Sequence, residues 1–251
     1  MTGSNGQWAS PPSRPALDAH EIHVWRVALD QPDWLVERMR QWLASDEQAR
    51  ASRFVFDHDR ARYIVGRGAL RSILSGYLGT EPNQLQFEYG PHGKPALVAS
   101  CGQIYFNASH SKGLGLCAVT RQRELGIDLE LVRRVIDAEQ IAQRFFSTQE
   151  NAVFQSLPVE QRQPAFFYCW TRKEAFIKAI GEGLSHPLDQ FDVSFAPAEP
   201  AKFLSIGGSL EAARGWSLFS LAPGPIYVGA LAVEGRDWQL VYWQWGMSHV
   251  E

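Results

Sequence analysis

Two periods alternate along the chain. Apolar residues recur at every second position in some stretches and at every third or fourth in others, the patterns of half-buried strands and amphipathic helices. Residues 22–29 read as a strand, and 33–44 repeat apolar side chains at helical spacing through Trp34, Leu35, Met39, Trp42 and Leu43. Ser45 and Gln48 make a capping-box pattern for a second helix running to about Phe56. A third helix, over 59–78, turns Tyr63, Ile64, Leu70, Ile73, Leu74 and Tyr77 inward and stops at Gly79. Strands are expected over 85–89, 104–108 and 114–120.

The same order then returns. A strand over 125–131 leads into a helix over 137–146, a cap at Ser147 and Glu150, and a long helix over 160–180. Further strands are expected over 191–195, 216–221, 226–233 and 238–245. The landmarks keep a near-constant offset: 103 positions from Ile22 to Leu125, 102 from Ser45 to Ser147, 104 from Gly79 to Gly183. An offset this long means two like domains rather than a solenoid. The pattern predicts a duplicated α+β unit, with an N-terminal half over 21–121, a C-terminal half over 122–251 and a loose leader rich in Ser, Gly, Pro and Ala over 1–20. Ligand pockets favour domain interfaces, so a shared site at the seam is expected.

Composition narrows the partners. The 251 residues can bury a core without disulfides, and 45% hydrophobic with 20% charged residues is the usage of ordinary globular proteins. No apolar run reaches the length of a membrane span, so no membrane partner is expected. A net charge of −3 without a basic stripe gives no reason to expect nucleic acid. Cys101, Cys117 and Cys169 lie far apart with no C-x-x-C pair, which points to a reducing cytoplasm.

Candidate chemistry is concentrated in the second half. In Gly126-Ile127-Asp128-Leu129-Glu130 the two carboxylates lie on one face of the strand and Ile127 and Leu129 on the other. Alone, this is the alternation of any half-exposed strand. Within Trp170-Thr171-Arg172-Lys173-Glu174-Ala175-Phe176-Ile177-Lys178, Glu174 and Lys178 share a helix face four residues apart, as an ordinary surface pair also would. Other patterns fall away: Gly90-Pro91-His92-Gly93-Lys94-Pro95 lacks the Walker spacing and the Ser or Thr after Lys, and there is no G-x-S-x-G elbow or H-E-x-x-H helix.

Together with Gly181-Glu182-Gly183-Leu184, these segments resemble the Sfp-type 4′-phosphopantetheinyl transferases. The resemblance extends to Gly93-Lys94-Pro95, to Phe106-Asn107-Ala108-Ser109-His110-Ser111 and to Arg144-Phe145-Phe146-Ser147, covering about residues 50–195. It implies a pseudo-dimer of two similar α+β halves, mostly antiparallel sheets packed against long helices, with coenzyme A in the cleft between them. On that likeness Asp128, Glu130 and Glu174 hold Mg²⁺, a hard cation suited to carboxylate oxygens. A serine of an apo acyl or peptidyl carrier protein would attack the β-phosphate of coenzyme A and release adenosine 3′,5′-bisphosphate. Glu174 would serve as the base, directly or through water, and Lys178 would neutralise phosphate charge. Arg62, Lys94, Pro95, Ser109 and His110 are implied at the coenzyme, with Arg50 a weaker match.

The carrier is expected to dock near 131–134 and 144–146, where Arg133, Arg134 and Arg144 would suit an acidic partner. A monomer with an internal pseudo-twofold repeat is expected. Of two competing readings, a metal-dependent coenzyme A pyrophosphatase would use the same residues with water as nucleophile, and a carrier-binding module without catalysis would require damage to the metal set, which the sequence does not show.

Overall fold

A computed structural model describes residues 7–98 and 104–246. Cys101 and the first six residues of the expected leader lie outside the described residues. The chain forms two compact units. Among the described residues, the N-terminal unit comprises 7–89, 95–98, 104–122 and 239–246, and the C-terminal unit comprises 90–94 and 123–238.

The N-terminal unit runs β1 (Glu21–Ala28), α1 (Asp33–Arg40), α2 (Ser45–Ala51), α3 (Asp57–Leu78), a hairpin of β2 (Phe87–Tyr89) and β3 (Pro95–Leu97), then β4 (Tyr105–Ser111) and β5 (Leu114–Thr120). The C-terminal unit repeats this plan: β6 (Leu125–Leu131), α4 (Ala138–Phe145), α5 (Thr148–Ser156), α6 (Val159–Ile180), a hairpin of β7 (Phe191–Val193) and β8 (Phe203–Ile206), then, after the short α7 (Leu210–Arg214), β9 (Trp216–Gly224) and β10 (Tyr227–Glu234). The strand order is repeated too. β1 pairs antiparallel with β5 and β5 with β4, as β6 pairs antiparallel with β10 and β10 with β9. The mixed α+β class with mostly antiparallel sheets is as the sequence predicts.

In each unit a long helix packs on one sheet face, and the same buried ion pair holds it. Glu47 and Glu150, 103 positions apart, each occupy the first turn of a short helix and accept the N–H of the residue that opens it, Ala44 and Ser147, both at 2.9 Å. Their partners on the long helices, Arg71 and Lys173, are 102 positions apart and bond them at 2.7 Å. Each cation also donates to backbone carbonyls, Arg71 Nη1 to Pro82 and Leu85 at 2.9 Å and Lys173 to Leu188 and Phe191 at 2.7 Å. Each also lies over the ring of the hairpin's first residue, Phe87 or Phe191. A buried charge is tolerable when it is paired and hydrogen-bonded, and both cations have a carboxylate partner and carbonyl acceptors.

Several expectations are corrected. The cap of α2 lies one residue earlier than Ser45 and Gln48 suggest: Glu47 satisfies the Ala44 N–H, while Gln48 Nε2 donates to the Leu43 carbonyl. α1 ends at Arg40 rather than at residue 44, and Trp34 is exposed. The short elements β3, β8 and α7 were not predicted. The long helix is closed by Gly181 (φ 76°), not Gly183, which brings the offset from Gly79 to 102. Strand β11 (Gln239–Gln244), expected to close the second half, instead pairs parallel with β1. It carries Trp243 and Trp245 into the N-terminal core, where Trp245 Nε1 reaches Ser72 Oγ at 3.4 Å. Nor is the leader loose over 7–17. Ala9 bridges Trp243, Arg26 stacks on Trp8, and Pro15 and Leu17 are buried. Among the described residues no helix is long and apolar enough to cross a membrane.

Replacing Lys173 by Met would leave Glu150 in the interior without its cation. Denaturant unfolding should show a loss of about 3–5 kcal/mol. The double variant Glu150→Gln with Lys173→Met should recover most of it, and a double variant as unstable as the single one would show that the pair is not the cause.

Candidate active site

Gly126 sets the geometry. A Cβ at this position would lie 2.1 Å from the carbonyl oxygen of Ala175 and 2.3 Å from the amide nitrogen of Ala179. Only a residue without a side chain lets the backbone of α6 rest directly on β6. Side chains alternate along the strand, so Asp128 and Glu130 share the face of Gly126 and meet the helix, while Ile127 and Leu129 are buried on the opposite face. Glu174 and Lys178, four residues apart on α6, come down over this acidic face.

Lys178 Nζ bonds Asp128 Oδ1 at 2.5 Å, and Asp128 is only 4% exposed. Burial first, then the Asp128 charge, raises the Glu174 carboxyl from its usual range to about 7; Glu130 adds to the rise and Lys178 opposes it. Three carboxylates and one ammonium therefore share one electrostatic neighbourhood. Among the described residues, however, no three His, Cys, Asp or Glu side chains are gathered closely enough to form a metal cage. The donor set itself fits Mg²⁺: hard oxygens, no competing thiolate or imidazole, and mutual repulsion that a divalent cation would relieve.

The repeat supplies an internal comparison. Offsets of 103 on the strands and 102 on the long helices place Trp25 opposite Asp128, Val27 opposite Glu130, Ser72 opposite Glu174 and Gly76 opposite Lys178. Trp25 and Val27 belong to the N-terminal core, where the Trp25 indole donates to Tyr77 at 2.9 Å. The same framework thus folds with apolar or small residues at all four positions. The charges of the C-terminal unit are not demanded by the fold.

The other predicted residues have definite places. Arg62 is held in a two-pronged pair by Asp30, at 2.7 and 3.1 Å. Ser109 and His110 lie at the end of β4, His110 exposed. Pro95 opens β3 and is half-buried. Lys94 is taken up by the C-terminal unit, bonding Glu124, the Leu125 carbonyl and the Ala179 carbonyl. Arg50 lies over the Tyr63 ring. At the expected docking surface Arg133, Arg134 and Arg144 are exposed, Phe145 is half-buried against Trp170, and Phe146 is a core residue.

Sequence reasoning missed the partners. A lone Asp30 in a loop carries no signal, and Arg172 and Lys173, inside the most telling motif, turn out to be buried struts. Arg172 is buried and donates to the Ser194 carbonyl and to the Ser194 and Ser220 hydroxyls. The 102-position offset from Arg71 to Lys173 was a legible clue to that role.

Glu174 generates a pH prediction. Between the ordinary carboxylate range and about 7 the folded, metal-free chain keeps a proton that the unfolded chain releases. Stability from this group is therefore full at low pH and is lost as pH rises toward 7. Relative to Glu174→Gln, which never ionises, the wild type should be weaker at pH 8 than at pH 5 by about 1–3 kcal/mol. Urea titrations in the presence of a chelator test this, and a difference independent of pH would contradict it.

Comparisons with known proteins bear on the family. A model of the 4′-phosphopantetheinyl transferase superfamily matches residues 124–221, and one described as the N-terminal part of a 4′-phosphopantetheinyl transferase matches 25–121. The two matches divide the chain where its element order begins again. The chain is 45% identical over 241 residues to the 4′-phosphopantetheinyl transferase HetI of Nostoc sp., covering 95% of this chain and 98% of the relative. It is 31% identical to the 4′-phosphopantetheinyl transferase Sfp of Bacillus subtilis, over 68% of this chain and 76% of that one. Among solved structures, a Thermotoga maritima holo-[acyl-carrier-protein] synthase is 22% identical, with a TM-score of 0.35 over 45% of this chain and 64% of its own. On the strength of the family models and the near full-length likeness to HetI, the chain belongs to the 4′-phosphopantetheinyl transferase superfamily.

Proposed function

We propose that the chain moves 4′-phosphopantetheine from coenzyme A to a serine of an apo acyl or peptidyl carrier protein. The observation that carries this is the set Asp128, Glu130, Glu174 and Lys178, built into one repeat at positions where the other holds Trp25, Val27, Ser72 and Gly76. Family membership supports the same reading. The serine oxygen bonds to the β-phosphorus, the bond from that phosphorus to the bridging oxygen breaks, and adenosine 3′,5′-bisphosphate leaves with the electron pair.

Asp128, Glu130 and Glu174 would hold Mg²⁺, which when bound supplies positive charge to the phosphate oxygens. Glu174 accepts the serine proton, directly or through water; its raised proton affinity in the absence of metal suits the task. Lys178, anchored by Asp128, offsets charge developing on the phosphates. Arg62, Pro95, Ser109 and His110 contact the coenzyme, and arginine in particular suits two-pronged phosphate contact. The exposed Arg133, Arg134 and Arg144 receive an acidic carrier. The enzyme works as a cytoplasmic monomer; the buried free thiols Cys117 and Cys169 suit a reducing compartment.

Intact-mass analysis of a panel of apo-carriers incubated with coenzyme A and Mg²⁺ should show a gain of one phosphopantetheine group on at least one member. No bisphosphate should form without a carrier. Bisphosphate released without a carrier would mean a pyrophosphatase, and a panel with no gain would refute the transferase. The variants should separate the roles: excess Mg²⁺ restores part of the rate of Asp128→Asn, while Glu174→Gln keeps a deficit of roughly 10²–10⁴-fold. Lys178→Ala should lose kcat more than metal affinity.

A further inference from the structure

The Gly90–Lys94 tip of the β2–β3 hairpin packs with the C-terminal unit, although both of its strands belong to the other. Its last residue carries the contact. A lysine ammonium has three N–H donors and no acceptor. Those of Lys94 meet the Glu124 carboxylate at 2.5 Å, the Ala179 carbonyl at 3.1 Å and the Leu125 carbonyl at 3.3 Å. Its complement of donors is met by the chain itself. The exposed His92 lies beside Gly183, just beyond the end of α6.

The two carbonyls are informative. Ala179 is in the last turn of α6, where carbonyls lack helical partners and a cation is favoured. Leu125 is the first residue of β6 and the neighbour of Gly126. Ala175 and Ala179 are the residues whose backbone meets Gly126, and Lys178 immediately precedes Ala179. Lys94 therefore ties helix to strand at the crossing that seats Lys178 on Asp128.

We infer that Lys94 is a positioning residue: it staples the C-terminal turn of α6 to the start of β6 and so fixes the Lys178–Asp128 pair, rather than serving as a phosphate ligand of the coenzyme. The kinetic arm of its test rests on the transferase reading; the exchange arm does not. In Lys94→Met without coenzyme, backbone hydrogen exchange over 177–181 and 124–127 should quicken. In turnover, kcat should fall by about 10–100-fold, as misplacement of reacting groups does, while KM for coenzyme A stays near the wild-type value. The loss should be equal with coenzyme A and with its 3′-dephospho form.

Unchanged exchange, or a raised KM confined to coenzyme A that keeps its 3′-phosphate, would make Lys94 a ligand and overturn the inference. Should Lys94→Met fail to fold cooperatively, Glu124→Gln, which weakens one of the three contacts at an exposed carboxylate, should give the same exchange change in smaller measure; no change there also overturns it. If the wild type modifies no carrier, the proposed function falls while the exchange arm still decides the role of Lys94.

Discussion

The site depends on one close approach of backbone to backbone. Helix α6 rests on strand β6 where Gly126 has no side chain, and the space is too small for even a methyl group. Two alanines, Ala175 and Ala179, complete the contact from the helix side. Such an approach fixes the distance between the elements more tightly than interdigitating side chains would, because neither backbone can rotate out of the way. Everything charged in the site is measured from this point: Asp128 and Glu130 two and four residues along the strand, Glu174 and Lys178 one residue before each alanine.

Rotation of α6 about its own axis is fixed separately. Lys173 is fully buried among Glu150 and the carbonyls of Leu188 and Phe191, so the next residue, Glu174, has a defined direction. The repeat shows that this clamp belongs to the fold and the acidic cluster does not. Arg71 and Glu47 make the same clamp in the N-terminal unit, yet the strand beneath α3 carries His23, Trp25 and Val27, with the His23 ring bonded to the Tyr77 hydroxyl at 2.7 Å. One copy fills the space beneath its helix with aromatic rings. The other clears it with Gly126 and Ala179 and lines it with charge.

Much of this was legible in the residues. The strand Leu125–Leu131, the Ser147–Glu150 box and the long helix stand where periodicity and capping chemistry put them, because each is specified locally. The faces of the acidic strand and of the basic-acidic helix followed from spacing; that the two meet was implied by the family resemblance. What escaped was specified at a distance. Strand β11 has the pattern of any closing strand, and only its pairing with β1, more than two hundred positions away, decides where it lies. Strands β3 and β8 are three and four residues long, too short for alternation to register. The leader has no period, yet proline and leucine at 15 and 17 bury themselves because the unit offers them a surface. Lys173 and Lys178 look alike in sequence; burial alone makes one a strut and leaves the other over Asp128.

The central claim is that the charges of the C-terminal unit form a cation site which the fold does not require. Calorimetric titration of the intact protein with Mg²⁺ addresses it without any substrate. The account predicts binding by the wild type and affinity weakened about 10-fold or more in each of Asp128→Asn, Glu130→Gln and Glu174→Gln, with folding intact. Binding that all three variants retain at wild-type strength, or no binding by the wild type, would contradict it.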